Sequence, residues 1–181
     1  MTDLVVDVLE RLRHFTPDSP AQSHLRDTYA ALVNADPGAL FKSGPPTHLT
    51  ASCLVIDPSG ERVLLTHHRR ARAWFQFGGH LEPSDISLHA AATREAREES
   101  GIPDLVVCEE IIQLDRHTLA GDFGPCREHL DVRFLAIAEP DTTFAASPES
   151  YAVAWTPVGQ LTEVAPTVLP LAEVARRVLH G

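Results

Sequence analysis

Three glutamates, Glu95, Glu98 and Glu99, stand at i, i+3 and i+4 in the run Arg94-Glu95-Ala96-Arg97-Glu98-Glu99-Ser100-Gly101-Ile102. At 3.6 residues per turn their carboxylates share one helix face. Like charges so spaced oppose each other, by roughly 0.2–0.5 kcal/mol per pair on an isolated helix. A bound cation would remove that cost. Hard divalent ions such as Mg²⁺ take oxygen ligands, commonly one or two carboxylates together with substrate phosphates. Upstream lies Gly78-Gly79-His80-Leu81-Glu82, whose two glycines lack a Cβ and so let backbone approach a ligand closely. Alone, three helix glutamates are more often a solvated face paired with arginines such as Arg94 and Arg97. The glycine pair and the Arg-Glu step favour a metal-assisted site for a phosphate compound.

These residues resemble the signature of the Nudix hydrolases, G-x5-E-x7-R-E-U-x-E-E-x-G-U with U a bulky aliphatic. Gly79 matches the opening glycine, Arg94-Glu95 the Arg-Glu pair, Glu98-Glu99 the Glu pair and Gly101-Ile102 the close. Three departures stand out: Asp85 replaces the first Glu, one extra residue precedes Arg94, and Ala96 is smaller than the usual aliphatic. The box covers about an eighth of the chain, and strand patterns extend the likeness to roughly residues 48–165. The resemblance implies an α/β/α sandwich with a mixed sheet. It also implies a Mg²⁺-dependent (or Mn²⁺-dependent) pyrophosphohydrolase that cleaves a nucleoside diphosphate linked to a moiety X into a nucleoside monophosphate and phosphoryl-X. X would come from a nucleoside triphosphate, ADP-ribose or a nucleotide sugar, or a dinucleoside polyphosphate.

Carried over residue by residue, the resemblance makes Gly79, Glu95, Glu98 and Glu99 the metal ligands, with Glu95 also a candidate to activate water. Arg94 orients the glutamates. Asp85 is expected to cap the helix rather than support the loop, with Glu82 an alternative there. A further base or ligand in the family comes from a Glu before a late strand. Glu149 is best placed for it, ahead of Glu128 and Glu139. The segment His67-His68-Arg69-Arg70-Ala71-Arg72 offers Arg69, Arg70 and Arg72 to phosphate, because the guanidinium fork makes bidentate contacts. His80 touches substrate or fixes its loop. Trp74 and Phe75 are stacking candidates for a base, although aromatics beside a strand are more often core. His48 and Glu128-His129 lack ligand spacing and read as structural.

Composition narrows the alternatives. The 181 residues suffice for one well-buried domain with a small appendage. A formal charge of −10 opposes general nucleic-acid binding, which needs a basic face. It leaves phosphorylated small molecules open, because a metal reverses the local field. Cys53, Cys108 and Cys126 are far apart without a CxxC, which suggests neither a disulfide framework nor zinc. No signal peptide and no apolar run near ~20 residues is visible, so a soluble cytoplasmic protein is expected. Two other functions compete. A Nudix-fold sensor that binds nucleotide without turnover usually loses box glutamates, and this chain keeps them. Isopentenyl diphosphate isomerase needs a catalytic Cys and Glu in settings that the three cysteines do not show.

The elements that must position these groups follow from periodicity. Leu4, Val5, Val8, Leu9 and Leu12 predict a helix over 3–14, broken by Pro17 to Pro20. A second helix is expected from about Ser23 to Val33, then a linker at Ser43-Gly44-Pro45-Pro46. Residues 1–47 thus form a helical extension, with a surface suited to a homodimer contact, and 48–181 the main domain. Strands are expected at 50–57, 62–67, 105–115, 131–138 and 152–155, with the box helix starting at Asp85 or Ser87 and a final helix from Val168 to Leu179. Hairpins followed by interleaved helices suggest a mixed sheet covered on both faces.

Overall fold

The computed structural model describes residues 3–119 and 124–181. Helix α1 (Asp3–His14) buries Leu4, Val5, Val8 and Leu12, the stripe that its spacing sets out. Helix α2 (Pro20–Ala35) begins earlier than expected. Ser19 is its N-cap, accepting from Gln22 N at 3.2 Å, and Pro20 occupies the first turn. Proline there loses no hydrogen bond, so Pro20 starts this helix, α1 having ended at His14 as expected.

Strands β1 (Thr47–Ile56), β2 (Arg62–His68), β3 (Ala73–Phe75) and β4 (Phe77–His80) precede helix α3 (Leu88–Ser100). Strands β5 (Gln113–Thr118), β6 (Glu128–Ile137) and β7 (Ser150–Pro157) lead to α4 (Leu161–Val164) and α5 (Leu169–His180). The expected strand at 105–115 is a strand only from Gln113. Before it the chain touches β6 through single bonds, Cys108 N to Leu135 O and Ile112 N to Arg133 O, and Arg11 donates to Glu109 O. Apolar residues there fill the core without forming a ladder; Leu105 and Val107 are buried.

All seven strands form one mixed sheet, along β3-β2-β1-β6-β5, with β4 on β1 and β7 on β2. Strand β1 is the spine. One edge pairs in parallel with β6 from Thr47↔Glu128 to Ile56↔Ile137. The other edge is divided, Val55 and Ile56 facing β2 and Thr50 to Cys53 facing β4. A parallel pair needs a long crossover, and α3 lies within it.

Alternation separates the faces of β1 and β6. Leu49, Ala51, Cys53 and Val55 join Leu130, Val132, Phe134 and Ala136 in a core shared with α1, α2 and α3. Leu54, Ile56 and Leu135 join the core under α4 and α5. The architecture is the expected α/β/α sandwich. Toward its other end the α5-side face turns polar. Asp131 accepts from Thr50 Oγ1 at 3.0 Å, Ser52 Oγ at 2.7 Å and Arg133 Nε at 3.0 Å, and Arg133 reaches Gln113. None of the 175 described residues belongs to a helix long and apolar enough to cross a membrane.

The β1–β2 turn rests on Asp57, which is 1% exposed and accepts from Glu61 N (2.9 Å), Arg62 N (3.1 Å), Ser59 Oγ (2.8 Å) and Arg62 Nε (3.2 Å). Burial alone would raise its carboxyl, but these bonds from Arg62, Ser59 and Glu61 outweigh it and hold it below the usual carboxylate range. A depressed folded pKa stabilises above the unfolded value of about 3.9 and is lost as pH falls through the folded one. Asp57→Asn is therefore expected to cost about 1–3 kcal/mol in urea unfolding at pH 7. The gap from wild type should close below about pH 3.9, and a gap that persists unchanged into acid would contradict the assignment.

Candidate active site

Helix α3 is delimited by Ser87, which accepts from Ala90 N at 3.0 Å, and by Gly101 in the left-handed region at φ 68°. Ala91, Ala92 and Ala96 on its inner face are fully buried. Their small size lets the helix lie close to β1 and β4, which accounts for alanine at position 96. That approach brings the glutamates onto the glycine pair. Glu99 Oε2 accepts from Gly78 N at 2.9 Å. A Cβ on Gly79 would stand 2.5 Å from Glu95 Oε1, and one on Gly78 would stand 2.7 Å from the Ser52 Cα. Close approach to backbone thus requires Gly78, whereas at Gly79 an added Cβ would meet only the end of the Glu95 side chain.

Arg94 fastens the opposite side. Its Nε and NH2 donate to the two oxygens of Asp85 at 3.0 Å each, NH1 donates to Glu95 at 3.0 Å and Glu98 at 3.4 Å, and NH2 also reaches His80 O at 3.1 Å. Asp85 is therefore not the helix cap, a correction to the sequence reading. Ser87 caps, and Asp85 receives the guanidinium fork while accepting from Glu82 N at 2.7 Å. Glu82 itself is exposed and holds only Ser84, at 3.4 Å.

The carboxylates share one field. Burial first, then Glu95, Glu149 and Glu98, push Glu99 up to about 7, against the Gly78 N–H that lowers it. Glu95 is also raised, by burial and by Glu98 and Glu149, although Arg94 opposes this. Glu98 is open to solvent at 62% side-chain exposure. The loop before β7 thus brings Glu149 into the field of the box glutamates, and its carbonyl accepts Arg69 N at 2.9 Å.

The basic segment divides. Arg69 Nε donates to Ser150 O at 2.9 Å and its guanidinium lies 4.7 Å over the Tyr151 ring. Arg70 and Arg72 are exposed at the turn between β2 and β3, and Arg72 adopts φ 53°. Beside them His67 stacks on Trp74 at 5.0 Å and meets Tyr151 at 5.4 Å. This aromatic surface depends on β2 pairing with both β3 and β7, so periodicity along one strand does not display it. His80 turns away from the glutamates toward His48 and His129, and burial pushes its imidazole down to about 3. His48 and His129 are far apart along the chain and show no ligand spacing. They meet because they are register partners across β1 and β6.

Solved structures share this fold. A hydrolase of the NUDIX family from Clostridium perfringens superposes with TM-score 0.55 at 23% identity over 72% of this chain and 97% of its own. An Ap4A hydrolase from C. elegans gives 0.60 at 18% over 74% and 98%. The MutT protein from Methanosarcina mazei Go1 gives 0.57 at 21% over 74% and 93%. At these identities the likeness is one of fold. No curated protein matches the sequence. The family model for the NUDIX domain matches residues 46–179, from just before β1 to the end of α5. With that match spanning most of the chain, on this sheet and this glutamate-bearing helix, the protein belongs to the Nudix family.

Proposed function

We propose that this protein uses Mg²⁺ or Mn²⁺ to hydrolyse a nucleoside diphosphate linked to a moiety X, releasing a nucleoside monophosphate and phosphoryl-X. X is the remainder of a nucleoside triphosphate, of ADP-ribose or a nucleotide sugar, or of a dinucleoside polyphosphate. The observation that carries the reading is the packing of Glu95 and Glu99 on Gly78-Gly79 with both carboxyls raised. Four carboxylates with one arginine among them leave negative charge that a divalent cation would offset. The donors are oxygens, the set that suits a hard ion. Gly79, Glu95, Glu98 and Glu99 would hold it. When bound, such an ion neutralises phosphate oxygens and lowers the pKa of an attacking water.

The remaining work falls to the chain. Arg94 fixes the rotamers of Glu95 and Glu98, so the ligands are ordered before substrate arrives. Glu149, on an exposed loop within the same field, is positioned to take the proton from water. Arg69, Arg70 and Arg72 would bind phosphates, with Arg69 held by Ser150 and Tyr151. His67, Trp74 and Tyr151 offer aromatic faces to a base. His80 acts by fixing its loop rather than by touching substrate, since its ring is turned into the sheet end and its carbonyl receives Arg94. Three free cysteines suit a reducing cytoplasm.

The deciding experiment measures phosphate-product release from the three substrate classes with Mg²⁺, with Mn²⁺ and with chelator. Cleavage of one class that stops with chelator is expected. Glu98→Gln should then lower kcat/KM by about 10²-fold or more at unchanged Tm, because Glu98 is exposed. Silence from the folded protein across the panel, or full activity in Glu98→Gln, would overturn the proposal.

Gly79→Ala should fold yet displace Glu95, lowering kcat by about 10-fold or more, since an ångström of misplacement is felt in catalysis. Normal kcat would show that Glu95 has room to move harmlessly.

Glu99 gives a pH signature. A folded pKa raised to about 7 means stability present below the unfolded value, about 4.3, and lost as pH rises through 7. In chelator, Glu99→Gln should therefore gain Tm over wild type between about pH 4.3 and 7 and hold that gain above. Adding Mg²⁺ at pH 8 should raise the wild-type Tm and leave the variant behind. A pH-independent difference between the two would refute the assignment.

A further inference from the structure

A second cluster lies at the sheet end, outside the glutamate site. His48 at the start of β1 and His129 at the start of β6 are register partners, and His80 ends β4 opposite Thr50. Their ring centroids are 5.0–5.2 Å apart. Cys126 is a buried free thiol just ahead of β6. One ligand atom from each of these four residues lies within 4.8 Å of all the others.

The nitrogens supply independent support. His48, His80 and His129 each carry a buried Nε2 with no hydrogen-bond partner. His48 is wholly buried, at 0% exposure. Buried polar atoms are ordinarily paired, so three orphans on one spot call for a common partner. His48 also declares its tautomer. Its Nδ1 lies 2.9 Å from Pro45 O, and a carbonyl only accepts, so Nδ1 holds the hydrogen and Nε2 keeps a lone pair. An imidazole anchored on a carbonyl through its other nitrogen is the usual form of a metal-ligating histidine.

We propose that His48, His80, His129 and Cys126 form a structural site for a transition-metal cation of the zinc class, held through three imidazole Nε2 atoms and a thiolate. Three nitrogens and one sulfur make the Cys-His donor set of closed tetrahedral zinc sites, and they differ in kind from the oxygens of the glutamate site. Bonds of about 2.0–2.3 Å put tetrahedral ligands roughly 3.3–3.6 Å apart, so these donors need inward shifts of about 1 Å or less. The thiol proton leaves to solvent on binding, and the thiolate offsets one cation charge. Lys42 lies near enough to add positive charge around His80 and His129, which makes that thiolate charge useful.

The site would join three segments. Pro45 and His48 end the connection from the N-terminal helices, Cys126 and His129 open β6, and His80 follows the glycine pair. The His80 carbonyl also receives Arg94, the residue that holds Asp85, Glu95 and Glu98. Metal here positions the strand that carries Gly78-Gly79. It takes no part in bond cleavage and does not depend on the phosphoanhydride chemistry.

The test uses the full chain, stripped by chelator and titrated with Co²⁺, a spectroscopic stand-in for Zn²⁺. With Mg²⁺ in excess to occupy the glutamate site, we expect one tetrahedral Co²⁺ per chain, with its visible absorption and a thiolate-to-metal charge-transfer band. Zn²⁺ should displace it, and excess Mg²⁺ should not. Cys126→Ser should lose the charge-transfer band and bind at least 10-fold more weakly, while Glu98→Gln keeps wild-type spectrum and affinity. Zn²⁺ should raise the Tm of wild type and of Glu98→Gln, but much less that of Cys126→Ser. No tetrahedral Co²⁺ spectrum from wild type, or spectra and affinities alike in wild type and Cys126→Ser, would overturn the site. If Cys126→Ser does not fold, the wild-type charge-transfer band and its survival in Cys53→Ser and Cys108→Ser decide instead. Loss of the band in either of those would place the thiolate elsewhere and refute the proposal.

Discussion

Close approach of α3 to the backbone of β4 is the constraint on which the site depends. Carboxylates placed against this strand need it bare on the helix side, where Gly79 leaves room for Glu95, and Gly78 supplies the N–H that Glu99 accepts. It also needs a helix that can come within reach, which Ala91, Ala92 and Ala96 allow. Once there, Glu99 loses water and gains one N–H. Burial outweighs that single bond, so the carboxyl stays raised and the region carries an electrostatic debt. The same packing that stabilises the sandwich therefore leaves these acids crowded together with Glu99 raised.

Strand β1 makes that approach possible. Its long parallel pairing with β6 leaves one edge to be shared, and β2 and β4 each take part of it. Because β4 is short and sits beside the middle of β1, the glycine pair lies directly under α3. The same division leaves the far end of the sheet without the apolar cover that α4 and α5 give to Leu54 and Ile56. Hydroxyls, Asp131 and Arg133 fill the gap with a hydrogen-bonded network, and beyond it the histidines gather. Two donor sets of different chemistry thus occupy two parts of one scaffold, oxygens along α3 and nitrogens with sulfur at the strand ends.

Arg94 is the link between them. Its Nε and NH2 are satisfied by Asp85, NH2 also reaches the His80 carbonyl, NH1 serves Glu95 and Glu98, and Asp85 and Glu95 raise its own pKa further. A lysine has no planar fork and could not serve that many directions. The substitution of Asp for the usual Glu at the loop is accommodated here. Asp85 reaches the guanidinium because the loop turns back on itself, with Asp85 N bonded to Glu82 O and Glu82 N bonded to the Asp85 carboxylate.

Local pattern was enough for much of this protein. The 3.6-residue period of Leu4, Val5, Val8 and Leu12 specified α1, short apolar runs on either side of Pro58-Ser59-Gly60 specified β1 and β2, and the spacing of Glu95, Glu98 and Glu99 after a glycine pair specified the family. These are properties of neighbours along the chain, and side-chain direction in a helix or strand follows from position alone. Reading failed where partners were distant. Asp85 looked like a cap until Arg94 reached it from nine residues on, and residues 105–112 looked like strand until β6 met them only at single points. The histidine cluster is the sharpest case. His48, His80, Cys126 and His129 have no ligand spacing, because register between β1, β4 and β6 creates their proximity. Sequence determined which elements form and what charge they carry; only the tertiary structure decided which side chains meet, since strand pairing joins residues whose separation along the chain holds no signal.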